Sequence, residues 1–314
     1  MKIYFNRRPV SGPWGGGSKI LSKIVTEARR RSHSVFFEEE LETNGPYDVM
    51  FCADPRDTLT VSYRDVVEHK IKFPETKIVQ RVGDLGTHGK PELFNLVNLT
   101  SKYSDVLVFP SHWAKNYLSS IHSNQQVILN AALENFVESV EKCNLYDSSS
   151  PIKIVTHHWS NNYMKGFDVY EQIDDFCARS KNNAQFTFVG RKPDHTKITN
   201  HIQPLDVPAL VHELPKYNFY VTASREEAGA NHVLEAMALG LHVFYGASGG
   251  SINEYCSDRN RGTMYTDVDH LKSLLSDRNF LTSVSHSSID ASKKDTRSAI
   301  DVANEYVDLF EKVV

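Results

Sequence analysis

The chain has 314 residues, 40% of them hydrophobic and 24% charged, with a formal net charge of -4 at pH 7. Those proportions are those of a soluble globular protein with room for two α/β domains, and the charge gives no reason to expect a nucleic-acid partner. No apolar run is long enough to span a membrane, the first eight residues turn polar too soon for a signal peptide, and Cys52, Cys143, Cys177 and Cys256 lack metal-ligand spacing; a cytoplasmic chain with reduced thiols is expected.

Lys2–Asn6 reads as a first strand, followed by the loop Pro9–Ser18 and a helix with Ile20, Leu21, Ile24, Val25 and Ala28 at helical spacing. Strand, glycine loop and helix open a doubly wound sheet, whose ligand crevice lies at the carboxyl ends of the strands. Gly15, Gly16 and Gly17 either let the backbone approach a ligand there or form a flexible turn. Further strands are expected at Tyr47–Ala53, Lys77–Val82 and Asp105–Phe109, with helices near 60–71, 91–102 and 112–121. Arg81, Asp84, His88 and Lys90 gather at and just beyond the end of the second of these strands, either as ligand-facing groups or as a solvated polar loop.

Tyr146–Pro151, small and polar before a proline, is the expected linker. Beyond it come a strand at Ile152–Thr156, a His157-His158 pair at its end, Lys165-Gly166 opening a helix, and a strand Gln185–Val189 turning at Gly190-Arg191. The histidines have no cysteine or carboxylate partner at metal-binding spacing and read as structural.

The densest pattern is Ser224–Tyr245, between buried strands Phe219–Thr222 and Leu241–Tyr245. A helix is expected from Asn231, as N-cap, to Leu239, with Gly240 as its stop. Gly229 and Ala230 leave its entrance bare, so its free N–H groups and positive dipole end form an anion site. Glu227 precedes this helix and Glu235 sits one turn inside it. Ionised carboxylates accept hydrogen bonds from sugar hydroxyls, so the pattern suits a phosphate-bearing ligand with hydroxyls; the plainer reading is a solvated glutamate on a surface helix. The chain closes with Gly246–Glu254, Gly262–Tyr265, a loose polar loop at Ser283–Ser292, and an amphipathic helix around 292–312 with Ile300, Ala303, Val307 and Phe310 on one face.

Seven residues between the two glutamates, then Leu-Glu-Ala-Met-Ala-Leu-Gly, resemble the glutamate-pair signature of retaining glycosyltransferases with the GT-B fold, particularly family 4 and its relatives. Lys165-Gly166 matches the family's second donor motif, Gly249-Gly250 echoes its glycine pair, and Asn130 and Phe136 match a landmark closing its first domain. The resemblance implies two Rossmann-like domains facing each other across a cleft. Residues 1–148 would form the acceptor side and 149–291 the donor side, and 292–314 a helix returning to the first domain. It implies transfer of a sugar, with retention, from a nucleotide diphosphate donor to a glycan, lipid or small-molecule acceptor, with at most peripheral membrane contact. No cofactor and no metal are expected, since no Asp-x-Asp motif occurs.

On this resemblance Lys165 and Glu227 carry catalysis. Gly16, Gly17, His158, Gly190, Arg191, Gly229, Ala230, Asn231 and Glu235 join them around the donor, and Arg81, Asp84 and His88 stand on the acceptor side. One departure is clear: the family places an arginine about five residues ahead of the lysine, where this chain has Ser160. His157, His158, Arg191 and Arg225 are the candidates to replace it. A sugar-nucleotide epimerase and a degenerate nucleotide-sugar or glycan-binding module share the same fold and are the alternatives.

Overall fold

A computed structural model describes residues 1–314 apart from 11, 13, 14, 57–59, 144, 180–182 and 259–260, and apart from the side chains of Glu39 and Asp258. Ser11, Pro13 and Trp14 of the glycine-rich loop therefore lie outside the described residues. The chain forms two α/β units, one of Met1–Ser11, Gly17–Asn130 and Ala299–Val314, the other of Gly12–Gly16 and Ala131–Ser298.

The first unit runs β1 (Lys2–Phe5), α1 (Gly16–Arg30), β2 (Ser34–Phe36), β3 (Val49–Cys52), α2 (Tyr63–Lys72), β4 (Lys77–Arg81), α3 (Glu92–Ser101), β5 (Val106–Phe109), α4 (His112–Leu118) and β6 (Gln125–Val127). Its parallel sheet has the order β2-β1-β3-β4-β5-β6, so the winding reverses between β1 and β3. β3 and β5 are buried along their whole length, as strands covered on both faces must be. In α1 the apolar stripe Ile20, Leu21, Ile24, Val25 and Ala28 is buried, and Arg29 and Arg30 occupy the last turn, where the dipole favours cations.

The second unit runs α5 (Glu134–Val137), β7 (Ile152–His158), α6 (Phe167–Arg179), β8 (Ala184–Gly190), β9 (Asn200–Ile202), α7 (Val207–Glu213), β10 (Phe219–Thr222), α8 (Asn231–Ala238), β11 (His242–Gly246), α9 (Ser251–Asp258), β12 (Gly262–Tyr265), α10 (Val268–Ser276) and α11 (Arg278–Lys294). Its parallel sheet has the order β12-β11-β10-β7-β8-β9, the doubly wound arrangement with its switch point between β7 and β10. Tyr146, in the stretch expected to link the domains, is 1% exposed and packs into this unit's core beside Phe219.

The last helix, α12 (Ala299–Val313), belongs to the first unit, as expected of a returning C-terminal helix. Its Phe310 ring meets Phe5 and Phe51, and Asp308 pairs with Arg31.

Three expectations are corrected. Ser283–Ser292 is not a loop but most of the long helix α11, begun by Asp277 accepting from the Phe280 N–H. Three of its serines face inward: Ser285 accepts from the Tyr146 N–H, Ser288 bonds His242, and Ser292 donates to the Met237 carbonyl. With Ser285, Ser288 and Ser292 on the buried face beside Leu281 and Ile289, the hydrophobic period is too broken for the sequence to show. The single helix expected at 292–312 is interrupted, because α11 ends at Asp295, which pairs with the buried Arg261, before α12 starts. In α12 the buried residues are Ala299, Val302, Ala303, Tyr306, Val307, Leu309 and Phe310, while Ile300 points outward at 46% exposure.

Candidate functional site

The residues singled out in the second unit converge at the carboxyl ends of β7 and β10, the switch point of that sheet. β10 ends at Thr222 and the chain runs through Arg225, Glu226 and Glu227 into α8. This acidic turn is fixed from two sides. The Glu226 N–H donates to the Ser248 carbonyl, the Glu227 N–H to that of Gly249, and the Ser251 N–H to that of Glu227. Gly250 makes this possible: its φ is +69°, and a Cβ there would stand 2.7 Å from the Glu227 carbonyl oxygen. On the other side, the Arg225 N–H donates to the Met164 carbonyl, tying the acidic turn to the turn that carries Lys165.

Lys165 ends a short 3₁₀ turn, Tyr163–Lys165, in which Asn162 accepts from the Met164 N–H. Gly166 follows with φ +81°, and a Cβ on it would lie 2.3 Å from the Ala223 carbonyl oxygen. Only glycine fits so closely beneath the exit of β10. The consequence is a direct ion pair: Lys165 Nζ donates to Glu227 Oε1 at 2.5 Å, with side chains only 13% and 11% exposed. Two residues assigned to the site separately thus hold each other.

Glu235 is 3% exposed, one turn inside α8, and its Oε2 lies 2.9 Å from His157 Nε2. His157 Nδ1 is buried without a partner, so Nε2 is the ring nitrogen that meets the carboxylate, which can only accept. The expected N-cap is corrected: Ala230 caps α8 without a side-chain hydrogen bond, and Asn231 is the first helical residue. The first turn also carries no acidic side chain, so the positive end of the helix stays uncompensated. The Ala230 N–H donates to Ser251 Oγ at 3.2 Å. Ser224 Oγ and Asn231 Oδ1 join His157 Nδ1 as buried polar atoms without partners, concentrated at this one sheet edge.

The other residues assigned to the donor are dispersed around this centre. His158 is 4% exposed, with Nε2 2.6 Å from the Tyr170 hydroxyl. Gly190, at φ +125°, lies against the His158 carbonyl, where a Cβ would approach to 1.9 Å. The β7–β8 register pairs His158 with Gly190, which sets Arg191 beside Trp159; its guanidinium stacks 3.9 Å from the indole centroid. Arg191 makes no ion pair among the described residues, whereas Arg225 pairs with Asp168 at 2.7 Å. Gly16 groups with the second unit, and a Cβ there would lie 1.9 Å from Asn231 Nδ2; at Gly17 a Cβ would meet nothing within 4 Å.

His232 belongs to this centre although the sequence reading passed over it. Its ring lies 4.7 Å from that of His158 and 6.2 Å from that of His157, and its Nε2 is 3.2 Å from Thr222 Oγ1. Removal from water pushes its pKa down to about 3, so it stands as a neutral imidazole. The missed signal is its position, next to Asn231 in the first turn of α8.

In the first unit, Arg81 ends β4 and is buried, with one Nη donating to Asn130 Oδ1 at 3.3 Å. Asp84 accepts from the Gly86 N–H and pairs with Lys90 at 2.7 Å, while His88 is half-buried in the following loop. Arg7 and Arg56 both lie on Asp54, after β1 and β3.

No protein-family model and no curated protein matches the sequence. Solved structures do match. The chain is similar to the apo form of the lipopolysaccharide outer core galactosyltransferase WaaB, with 15% identity, TM-score 0.70, and 99% of this chain and 100% of that one covered. It is similar to a sucrose-phosphate synthase from Thermosynechococcus elongatus, with 13% identity, TM-score 0.69, and 99% and 98% covered. It is also similar to an α-glucosyltransferase in complex with UDP and a 13-mer DNA, with 13% identity, TM-score 0.60, and 98% of each chain covered. The fold is that of GT-B glycosyltransferases, built from two Rossmann-like units.

Proposed function

We propose that the protein is a glycosyltransferase that moves a sugar from a nucleotide diphosphate donor to an acceptor, with retention of configuration. The observation that carries the reading is the convergence at one switch point of the Lys165–Glu227 pair, the uncapped start of α8 and the buried His157–Glu235 pair. Likeness to GT-B glycosyltransferases, one of them holding UDP, supports it.

In this reading the diphosphate sits against the start of α8 and draws Lys165 partly away from Glu227. Arg191, set on Trp159 beside Ser160, supplies the second cation in place of the family's arginine. The bond between the sugar's C1 and the β-phosphate oxygen breaks, the acceptor oxygen bonds to C1, and its proton leaves with the diphosphate. Lys165, Arg191 and the α8 amides are aimed where charge grows, which is the largest catalytic effect such a site offers. Glu227, released from the lysine, accepts from the sugar hydroxyls, and Glu235, held by His157, accepts from the ribose. The reading needs no metal or other cofactor and places the enzyme in the cytoplasm, with a glycan, lipid or small molecule as acceptor and no nucleic acid.

Thermal melts of the whole chain with UDP, GDP, ADP and their sugar conjugates test it. One base should raise the melting temperature, and a ligand at 100 times its Kd adds about 2.7 kcal/mol. No shift with any of them at millimolar concentration overturns the reading.

A further inference from the structure

We infer that the first unit carries an anion site on Arg81 and that the acceptor is therefore anionic, a sugar or small molecule bearing phosphate or carboxylate. The acceptor role rests on the proposed transferase reading; the anion site does not. Arg81 is 9% exposed and makes no ion pair among the described residues; its partners are neutral, the Asn130 amide at 3.3 Å and the Tyr306 hydroxyl. Its Nε is buried without a partner. Beside it the Tyr306 hydroxyl, held protonated by its removal from water, faces the donor-only guanidinium, and its own proton has no acceptor among the described residues.

Two unsatisfied donors thus stand together, one of them on a buried cation. The carboxylates of the same sheet edge do not serve Arg81: Asp54 is held by Arg7 and Arg56, and Asp84 by Lys90. Gly83 leaves the guanidinium its room, for a Cβ there would lie 2.0 Å from one Nη. A buried charge without a counter-ion is strongly unfavourable in a protein built only for stability. An anionic oxygen pair, which only accepts, satisfies the arginine fork and the tyrosine hydroxyl together. The location agrees, since β4 delivers Arg81 at the carboxyl edge of the parallel sheet, where α/β units bind ligands.

The test uses the whole chain and three variants, Arg81→Met, Arg81→Lys and Lys165→Ala, with inorganic phosphate, glucose 6-phosphate and glucuronate as probes and glucose as neutral control. Calorimetry should show at least one anionic probe binding wild type and Lys165→Ala alike. Arg81→Met should weaken it by about 10- to 100-fold, Arg81→Lys by less, and glucose should not bind. The glucose 6-phosphate and glucuronate arms separate phosphate from carboxylate. Without probe, Arg81→Met should melt at or above wild type, since it removes an unpaired buried charge. A lower melting temperature for both Arg81 variants shows a structural cation and overturns the inference, as does anion binding unchanged in Arg81→Met or absent in wild type. Release of nucleoside diphosphate from donors is followed on the same preparations. Anion binding without donor turnover removes the transferase reading and leaves the site standing; donor turnover without anion binding does the reverse.

Discussion

The Lys165–Glu227 pair permits a quantitative test. At 2.5 Å and an effective dielectric constant of about 20, the Coulomb attraction is roughly 6–7 kcal/mol, most of it offset by desolvation of the two ions. Removing one partner leaves the other charged in a site where both side chains are only 13% and 11% exposed. Breaking such buried pairs costs about 3–5 kcal/mol. In a unit of this size each kcal/mol moves the melting temperature by about 2–4 °C, so Lys165→Met and Glu227→Gln should each lower it by roughly 6–20 °C. The double variant carries no stranded charge and should recover more than half of the loss. The assay is chemical denaturation of wild type, both single variants and the double variant, read as a double-mutant cycle. If both single variants stay within about 0.5 kcal/mol of wild type, the pair is a solvent-screened contact and the placement of Lys165 is wrong.

Two further outcomes follow from the same site. Glu235→Ala should raise the donor KM several-fold with kcat little changed, because the ribose is untouched by the chemistry; a matched melting curve guards against a displaced α8, and an equal fall in kcat and kcat/KM would contradict the ribose assignment. Burial pushes the His232 pKa down to about 3 and that of His242 to about 4, while both histidines titrate near 6.5 when unfolded. Their neutral forms favour the fold fully above about pH 6.5, and that stability is lost as the pH falls toward 4; denaturation midpoints from pH 7.5 to 4.5 should therefore decline less steeply in His232→Gln, and an unchanged slope would show a ring free to protonate.

What the sequence makes legible follows from what leaves a local trace. Buried parallel strands such as Val106–Phe109 and Phe219–Thr222 show as apolar runs, and Gly240, at φ +88°, marks the end of α8 as a glycine stop should. The clustering of Lys165, Glu227 and Glu235 follows from their places after strands whose ends lie side by side. The bonds among these residues leave no such trace. His157 and Glu235 are 78 positions apart, and only the packing of α8 beside β7 brings them together. β2 and β6 are three residues each, too short for a periodic signal. α11 hides because its buried face is partly serine, satisfied by groups from β11, α8 and Tyr146. Asn231 is a good capping residue placed one position too late to cap.

The central claim, that this site cleaves a nucleotide diphosphate sugar, is tested most directly by steady-state release of nucleoside diphosphate from the donor that most stabilises the protein, in wild type and in Lys165→Ala. Charge-assisted hydrogen bonds to a leaving group are worth about 1.5–3 kcal/mol, so Lys165→Ala should lower kcat by roughly 10- to 100-fold at saturating donor. Wild-type kcat in a folded Lys165→Ala variant would move the leaving-group role to Arg191 or Arg225. No release of diphosphate by the wild-type protein, from a donor it binds and with acceptors of each proposed class supplied, would contradict the account.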